Sequence, residues 1–475
     1  MLTAARAPFE VTGQGGPALG GRRPHAIVIG AGFGGLAAAI RLAARGYRVS
    51  VMDRLDSPGG RGTAFRQDGF TFDAGPTLVT VPQVFEDLWT LCGRDMADDV
   101  DLRPLDPFYR MRFDDGETFT CRADEAAMAE EIGRISPRDV DGWRGLMAKA
   151  RERYSIGFER MGREPFSRFT DMLRWIPDLV RLRADRSVHG ETAARIRDPR
   201  LRAALSFHPL FIGGDPFTVT SMYCLVAYLE SRYGVHYCMG GTNALAQAMA
   251  DLAASQGASF HYGVEIDEIL VRDGRAHGVR TADGTERTAD IVVSNADAGW
   301  TYRHLLRKQP RRRWTDAKLD RAKYSMGLFV WYFGTDRRWD EIAHHTIVMG
   351  PRYKGLVRDI FRRGRLADDM SLYLHRPSAT DPSVAPGGCD AFYALSPVPH
   401  LGFGHEWTAE EAERYRASVE RRLAETVLPG LEGRVVSQTM LTPADFETRY
   451  LSPHGAGFSL EPRLFQSAWF RPHNV

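Results

Sequence analysis

Short apolar runs broken by glycine-rich turns dominate the start of the chain. Ala26-Ile27-Val28-Ile29 predicts a buried strand, Gly30-Ala31-Gly32-Phe33-Gly34-Gly35 follows at once, and Leu36 to Arg45 carries Ala and Leu at helical spacing. Gly46 ends that helix, Arg48 to Met52 predicts a second strand, and Asp53 falls at its carboxyl end. A hairpin-like stretch through Asp68-Gly69-Phe70 leads into Phe72-Asp73-Ala74-Gly75-Pro76-Thr77. Much later, Tyr262 to Ile266 and Ile291 to Asn295 are β-rich runs bracketing Asp273-Gly274 and Asp283-Gly284 turns.

Strand, glycine turn, helix and acid together close a βαβ unit suited to a dinucleotide. Gly30 permits the tight turn, Gly32 lets backbone N–H groups approach a pyrophosphate, and Gly35 lets the helix pack closely on the strand. The helix N-terminus then faces phosphate charge, and Asp53 can accept hydrogen bonds from an adenosine ribose. This unit alone does not separate FAD from NAD. Ser57-Pro58-Gly59-Gly60-Arg61 adds N–H donors and a fixed positive charge for the second half of the pyrophosphate. The Gly75-Pro76 turn, followed by Thr77, can bring backbone against a flat ring, which suits a buried flavin better than an exchangeable nicotinamide. The alternative is a surface turn with Arg61 merely solvated.

Bulk properties narrow the picture only in part. A chain of 475 residues exceeds what one small core needs, so two or more interleaved domains are expected. Its 62 basic and 60 acidic residues leave a formal charge of +2, which gives no reason to expect nucleic acid. Cys92, Cys121, Cys224, Cys238 and Cys389 are scattered, odd in number and without a C-x-x-C pair, against both a disulfide framework and a zinc site and in favour of a reducing cytosol. The stretch 1–24 is glycine-rich without a continuous apolar core and is expected to be a flexible extension rather than a secretory signal. No segment reaches the roughly 18 consecutive apolar residues of a spanning helix, so any membrane contact is expected to be peripheral.

With these residues in hand, the chain resembles a known family. Gly30 to Gly35, Asp53, Gly59-Gly60-Arg61 and Phe72 to Thr77 resemble the flavin amine oxidase superfamily, and downstream segments narrow the likeness to bacterial phytoene desaturases. Those segments include Pro107-Phe108-Tyr109-Arg110, Pro137-Arg138-Asp139-Val140, Gly213-Gly214-Asp215-Pro216-Phe217, Gly240-Gly241-Thr242-Asn243, Ser294-Asn295-Ala296-Asp297, His344-His345-Thr346, Ser371 to His375 and Gln466 to Asn474. The resemblance implies an α/β fold: a Rossmann-type FAD-binding domain with an inserted α+β substrate domain and a helical membrane-associating part. It divides the chain into FAD-binding pieces at 25–110 and 236–305, a helical substrate and membrane region at 111–235, and a substrate domain at 306–450. The last FAD-binding segment begins at 451–475 and is truncated, because related chains continue past the Arg-Pro-His-Asn stretch into a glycine-rich turn and a final helix. By the same resemblance, Val264 contacts the adenine end through its backbone and Asn295 supports the flavin.

The activity implied is FAD-dependent desaturation of phytoene to neurosporene or lycopene, with oxygen or a quinone as terminal electron acceptor. Alternatives are another carotenoid desaturase or isomerase of this fold, or an inactive truncated flavin-fold protein. A long polyene hydrocarbon has no polar handle, so an apolar tunnel must orient it. Phe207, Phe211, Phe217, Tyr223, Tyr228, Trp331 and Phe333 are candidate lining residues, with ordinary core as the competing assignment. No catalytic base is assigned; Arg151 is offered as a polar residue near the flavin, against a solvated helix arginine. The run Phe166 to Arg183 interleaves Phe, Trp, Leu and Ile with arginines, as in a segment lying in a lipid headgroup layer on the cytoplasmic face of the inner membrane. A core helix with a wet arginine face explains it almost as well. His344 and His345 are chain neighbours whose side chains should point apart, so no metal site is expected.

Overall fold

The computed structural model describes residues 22–472, so most of the expected extension at 1–24 and the final His473 to Val475 lie outside the described residues. The chain divides into two compact units. Among the described residues the first holds 22–67, 71–103 and 236–321; the second holds 68–70, 104–235 and 322–472.

In the first unit a four-stranded sheet runs in the order Ile291–Ser294, His25–Ile29, Arg48–Met52, Ser259–His261. All three pairings are parallel, as a βαβ crossover requires. The crossover is the helix Phe33–Ala44, whose Leu36, Ala39 and Ile40 are fully buried. They share one core with Val28, Val49 and Val51 of the sheet and with Leu245, Ala246, Met249 and Ala253 of the helix Thr242–Ser255. Alanines on both helices keep the packing surfaces low. Asp273 and Gly274 take φ of 50° and 73°, the two-residue turn that joins the antiparallel strands Ile266–Arg272 and Arg275–Thr281.

The second unit is built on a seven-stranded sheet ordered Val435–Leu441, Gly327–Thr335, Asp390–Val398, Leu372–His375, His345–Val348, Tyr109–Arg112, Thr118–Cys121. Every pairing is antiparallel except that of His345–Val348 with Tyr109–Arg112. All nine residues of Gly327–Thr335 are buried, so both faces of the sheet are covered. On one face Phe329, Trp331 and Phe333 pack with Ala412, Tyr415, Val419 and Leu423 of the helix Ala409–Thr426. Trp331 and Phe333, offered above as channel lining, are fully buried in this core and stack at 4.0 Å between centroids.

One buried ion pair ties the sheet to its connecting loops. Asp390 accepts Nε–H of Arg376 at 2.9 Å and the Trp339 N–H at 2.8 Å on one oxygen, and the Ser378 hydroxyl at 2.8 Å on the other. Both charges are almost wholly removed from water, at 2% and 0% side-chain exposure. Removing Asp390 leaves the buried Arg376 guanidinium with only the solvent-exposed Asp340 carboxylate, at 3.0 Å, as its counter-charge. Asp390→Ala is therefore expected to destabilise the fold by about 3–5 kcal/mol, read as a fall in the urea midpoint of the purified chain.

Candidate flavin site

The glycine turn is shaped by what cannot fit beside it. Gly30 has φ +93° and its N–H donates to the Met52 carbonyl at 2.7 Å, binding the turn to the second strand. A Cβ on Gly35 would lie 1.9 Å from the Gly30 carbonyl oxygen, so only glycine lets the helix start this close. A Cβ on Gly34 would meet the Asn295 side-chain oxygen at 2.5 Å, and one on Gly32 would meet its Nδ2 at 3.0 Å. Asn295 sits there because its N–H continues the parallel ladder, donating to the Ile29 carbonyl at 2.8 Å.

The helix Phe33–Ala44 begins at Gly32 with no side-chain cap and no acidic residue in its first turn. Its first N–H groups and the positive end of its dipole have no anionic partner in their own helix. A second helix start lies in the same unit: Thr242–Ser255 begins after Gly241, φ +86°, again without a side-chain cap or first-turn acid. Here Thr242 donates its hydroxyl to the Pro76 carbonyl at 2.6 Å and Asn243 donates Nδ2–H to the Pro58 carbonyl at 3.3 Å. Those bonds hold the Gly59-Gly60-Arg61 and Gly75-Pro76-Thr77 segments to the second helix.

The segments also hold one another. Gly32 and Gly59 form a parallel bridge, with the Gly59 N–H donating to the Ala31 carbonyl at 2.9 Å. Gly60, φ +58°, would place a Cβ 3.3 Å from Gly32 Cα, and a Cβ on Gly75 would lie 2.0 Å from the Arg61 carbonyl oxygen. Thr77 is buried. The Arg61 guanidinium comes within 4.0 Å of the Asp297 carboxylate, which is itself buried and accepts the Gly299 N–H at 2.8 Å.

Asp53 is buried at the end of the second strand, where one oxygen accepts the Ala31 N–H at 2.6 Å and the other the Leu55 N–H at 2.8 Å. Burial raises its pKa, opposed by those two N–H bonds. Each oxygen keeps a lone pair for a further donor such as a ribose hydroxyl. The backbone of Val264 runs alongside, its N–H donating to the Asp53 carbonyl at 2.8 Å.

The structure thus brings Gly30, Gly32, Gly35, Asp53, Gly60, Arg61, Gly75, Pro76, Thr77, Val264 and Asn295 into one unit. Sequence reasoning gave no site role to Gly34, Asp73, Thr242, Asn243 and Asp297. Glycines before an alanine-rich helix at Gly240-Gly241 are a signal that could have found the second helix start. Asp73 had none, since its place is set by a distant glycine: a Cβ on Gly241 would meet its carboxylate at 2.4 Å. Arg151 is exposed, while Arg153 is buried in an ion pair with Glu191 at 3.1 Å.

The second unit holds a buried polar group that sequence reasoning also missed. Tyr109 donates its hydroxyl to Glu230 at 2.8 Å, and His208 Nε2 lies 3.1 Å from both. Phe207 and Phe211 pack edge-on against the Tyr109 ring at 5.3 and 6.3 Å. Another family segment has a structural explanation: Asp139 of the Pro137–Val140 stretch accepts the N–H groups of Arg197 and Asp198 at 2.7 and 2.8 Å.

Two uncapped helix starts and a cradle closed to side chains fit the pyrophosphate of a dinucleotide. A family profile described as flavin containing amine oxidoreductase matches residues 33–373. An oxidoreductase from Methanosarcina mazei shares the fold, with a TM-score of 0.56 at 18% identity over 88% of each chain. The chain is an FAD-dependent oxidoreductase. It is 56% identical to the neurosporene-forming phytoene desaturase of Rhodobacter capsulatus over 95% of this chain and 87% of that one. It is also 45% identical to the lycopene-forming phytoene desaturase of Pseudescherichia vulneris, over 94% of this chain and 91% of that one. It belongs to the bacterial phytoene desaturase family, within the flavin containing amine oxidoreductases.

Because Gly75 leaves no room for a Cβ, Gly75→Ala must push the Arg61 segment away from the glycine turn. A cost of about 1–3 kcal/mol is typical of such overpacking, so FAD affinity should fall roughly tenfold to hundredfold, measured by flavin fluorescence quenching on titration into the apo chain.

Proposed function

We propose that this chain introduces successive double bonds into phytoene, giving neurosporene or lycopene. The observation that carries this reading is 56% identity, maintained over 95% of the chain, to a neurosporene-forming desaturase. When bound, FAD supplies the two-electron acceptor that removal of two hydrogens from adjacent carbons requires. The N–H groups at the starts of Phe33–Ala44 and Thr242–Ser255 would hold its pyrophosphate, with Gly59, Gly60 and Arg61 closing over the second phosphate. Asp53 would take the ribose hydroxyls, Val264 the adenine edge through its backbone, and Gly75-Pro76-Thr77 with Asn295 the flavin end. The second unit would supply the substrate surface, with Phe207 and Phe211 among its lining.

The substrate would be drawn from lipid by the Phe166–Arg183 segment. Met172, Trp175 and Leu182 turn into a small core with Phe166 and Trp469. Phe169, Leu173, Ile176 and Val180 face outward, at 48%, 44%, 44% and 67% exposure, among Arg168, Arg174, Arg181 and Arg183. Such a patch favours an anionic headgroup layer, with the apolar groups dipping below and the arginines at phosphate level. Among the described residues no helix is long and apolar enough to cross a membrane.

Product analysis tests the activity. Full-length chain with FAD and phytoene-loaded liposomes, supplied with oxygen or a quinone, should yield products with the visible bands of longer conjugation. A protein that acts only on already coloured polyenes is an isomerase, and one that stays colourless with added FAD contradicts the reading outright. The membrane role has its own test, because the quadruple change of Phe169, Leu173, Ile176 and Val180 to Ser should leave flavin content intact. Co-sedimentation with anionic liposomes should drop at least about tenfold, as expected when buried apolar area drives binding; unchanged sedimentation contradicts the assignment of this face.

A further inference from the structure

Three histidines that the flavin site does not use are gathered inside the seven-stranded sheet. His345 opens one strand and stands directly opposite His375, which closes the neighbouring antiparallel strand. Opposed residues share a face of the sheet, so their rings stack, 5.1 Å apart and 18° from parallel. His344 was expected to point away, as neighbours in a strand do. It lies just before the strand, where the pleat has not begun, and its carbonyl is held by the Arg376 N–H at 2.8 Å. That places its ring 4.9 Å from His375 and 4.5 Å from His345.

All three side chains are buried, at 6%, 0% and 0% exposure. The Nδ1 atoms are already occupied in two of them: His344 Nδ1 lies 2.7 Å from the Thr380 hydroxyl and His345 Nδ1 lies 2.6 Å from the Tyr373 hydroxyl. Hydroxyls on Nδ1 are the outer partners that aim an Nε2 at a metal.

The Nε2 side is where the rings meet. His344 Nε2 and His375 Nε2 are 3.1 Å apart, and His345 Nε2 is buried with no hydrogen-bond partner. One ring nitrogen from each histidine lies within 4.8 Å of the other two. Nitrogens bound to one tetrahedral ion at 2.0–2.1 Å stand about 3.3 Å apart, so the first pair is already at ligand spacing, with a His345 ring nitrogen within 4.8 Å of both. A hydrogen-bonded histidine core would have no reason to leave a buried imidazole nitrogen unsatisfied.

We propose that His344, His345 and His375 bind one divalent transition-metal ion of the zinc class through three imidazole nitrogens. A donor set without carboxylate or carbonyl oxygens disfavours magnesium and calcium, and one without thiolate suits zinc, cobalt, nickel or copper. The ion would pin the strand His345–Val348 to Leu372–His375 and, through Thr380, to the loop that follows.

Cobalt chloride alone is the probe, added to EDTA-dialysed, FAD-loaded full-length chain, with zinc chloride as competitor. The expected result is one cobalt per chain, visible ligand-field bands of a nitrogen-bound ion, and their loss on adding zinc. His345→Gln and His375→Gln should each abolish the bands while keeping the flavin spectrum, and Thr380→Val should weaken binding roughly tenfold, as outer-partner changes do. X-ray absorption at the cobalt edge of the unaltered chain gives a readout independent of how the variants fold, and should show imidazole scattering from three ligands. Absence of bands and stoichiometric metal in the unaltered chain, an edge spectrum without imidazole scattering, or bands unchanged in both glutamine variants would each overturn the proposal.

Discussion

Backbone N–H groups left without partners in their own helix at the start of Phe33–Ala44 are what the candidate flavin site depends on. They can serve a phosphate only if nothing else reaches them, and the fold enforces this by exclusion. Gly30 and Gly35 set the closeness of turn and helix, while Asn295 fills the gap beside Gly32 and Gly34. Gly59 then bridges to Gly32, so the arginine segment is positioned by the turn it closes over. A substitution anywhere in this chain of close approaches moves backbone, and that explains why glycine rather than charge is the dominant residue type of the site.

Much of this was legible because it is local. The strand Ala26–Ile29, the helix from Leu36 and the acid at Asp53 follow from periodicity and turn residues within a few positions of each other, and the structure begins the helix at Phe33 and ends the second strand at Met52. The Asp273-Gly274 hairpin was legible for the same reason, a two-residue turn needing positive φ twice. What stayed hidden is set by distant partners: Asp73 against Gly241, Thr242 on the Pro76 carbonyl, and the Tyr109, His208 and Glu230 group. No local pattern marks a buried acid whose partners arrive from other elements.

The histidines illustrate the same limit in sharper form. Adjacent side chains do diverge within a regular strand, and reasoning from His344-His345 alone gives no histidine cluster. Sheet pairing supplies His375, and an irregular strand entry turns His344 back toward it. Likewise, Trp331 and Phe333 were candidates for a hydrocarbon channel by composition, yet alternation along Gly327–Thr335 places them with Phe329 under a helix. Exposed apolar groups are the more telling feature, and Phe169, Leu173, Ile176 and Val180 concentrate them in one short segment.

Flavin and hydrocarbon must react directly if the chain is the desaturase proposed. Anaerobic mixing of FAD-loaded chain with phytoene liposomes, with no electron acceptor present, isolates that step. Bleaching of the flavin's visible band, in proportion to the polyene formed, is the predicted result. A flavin that stays oxidised while phytoene is unchanged, or while product forms regardless, would contradict it.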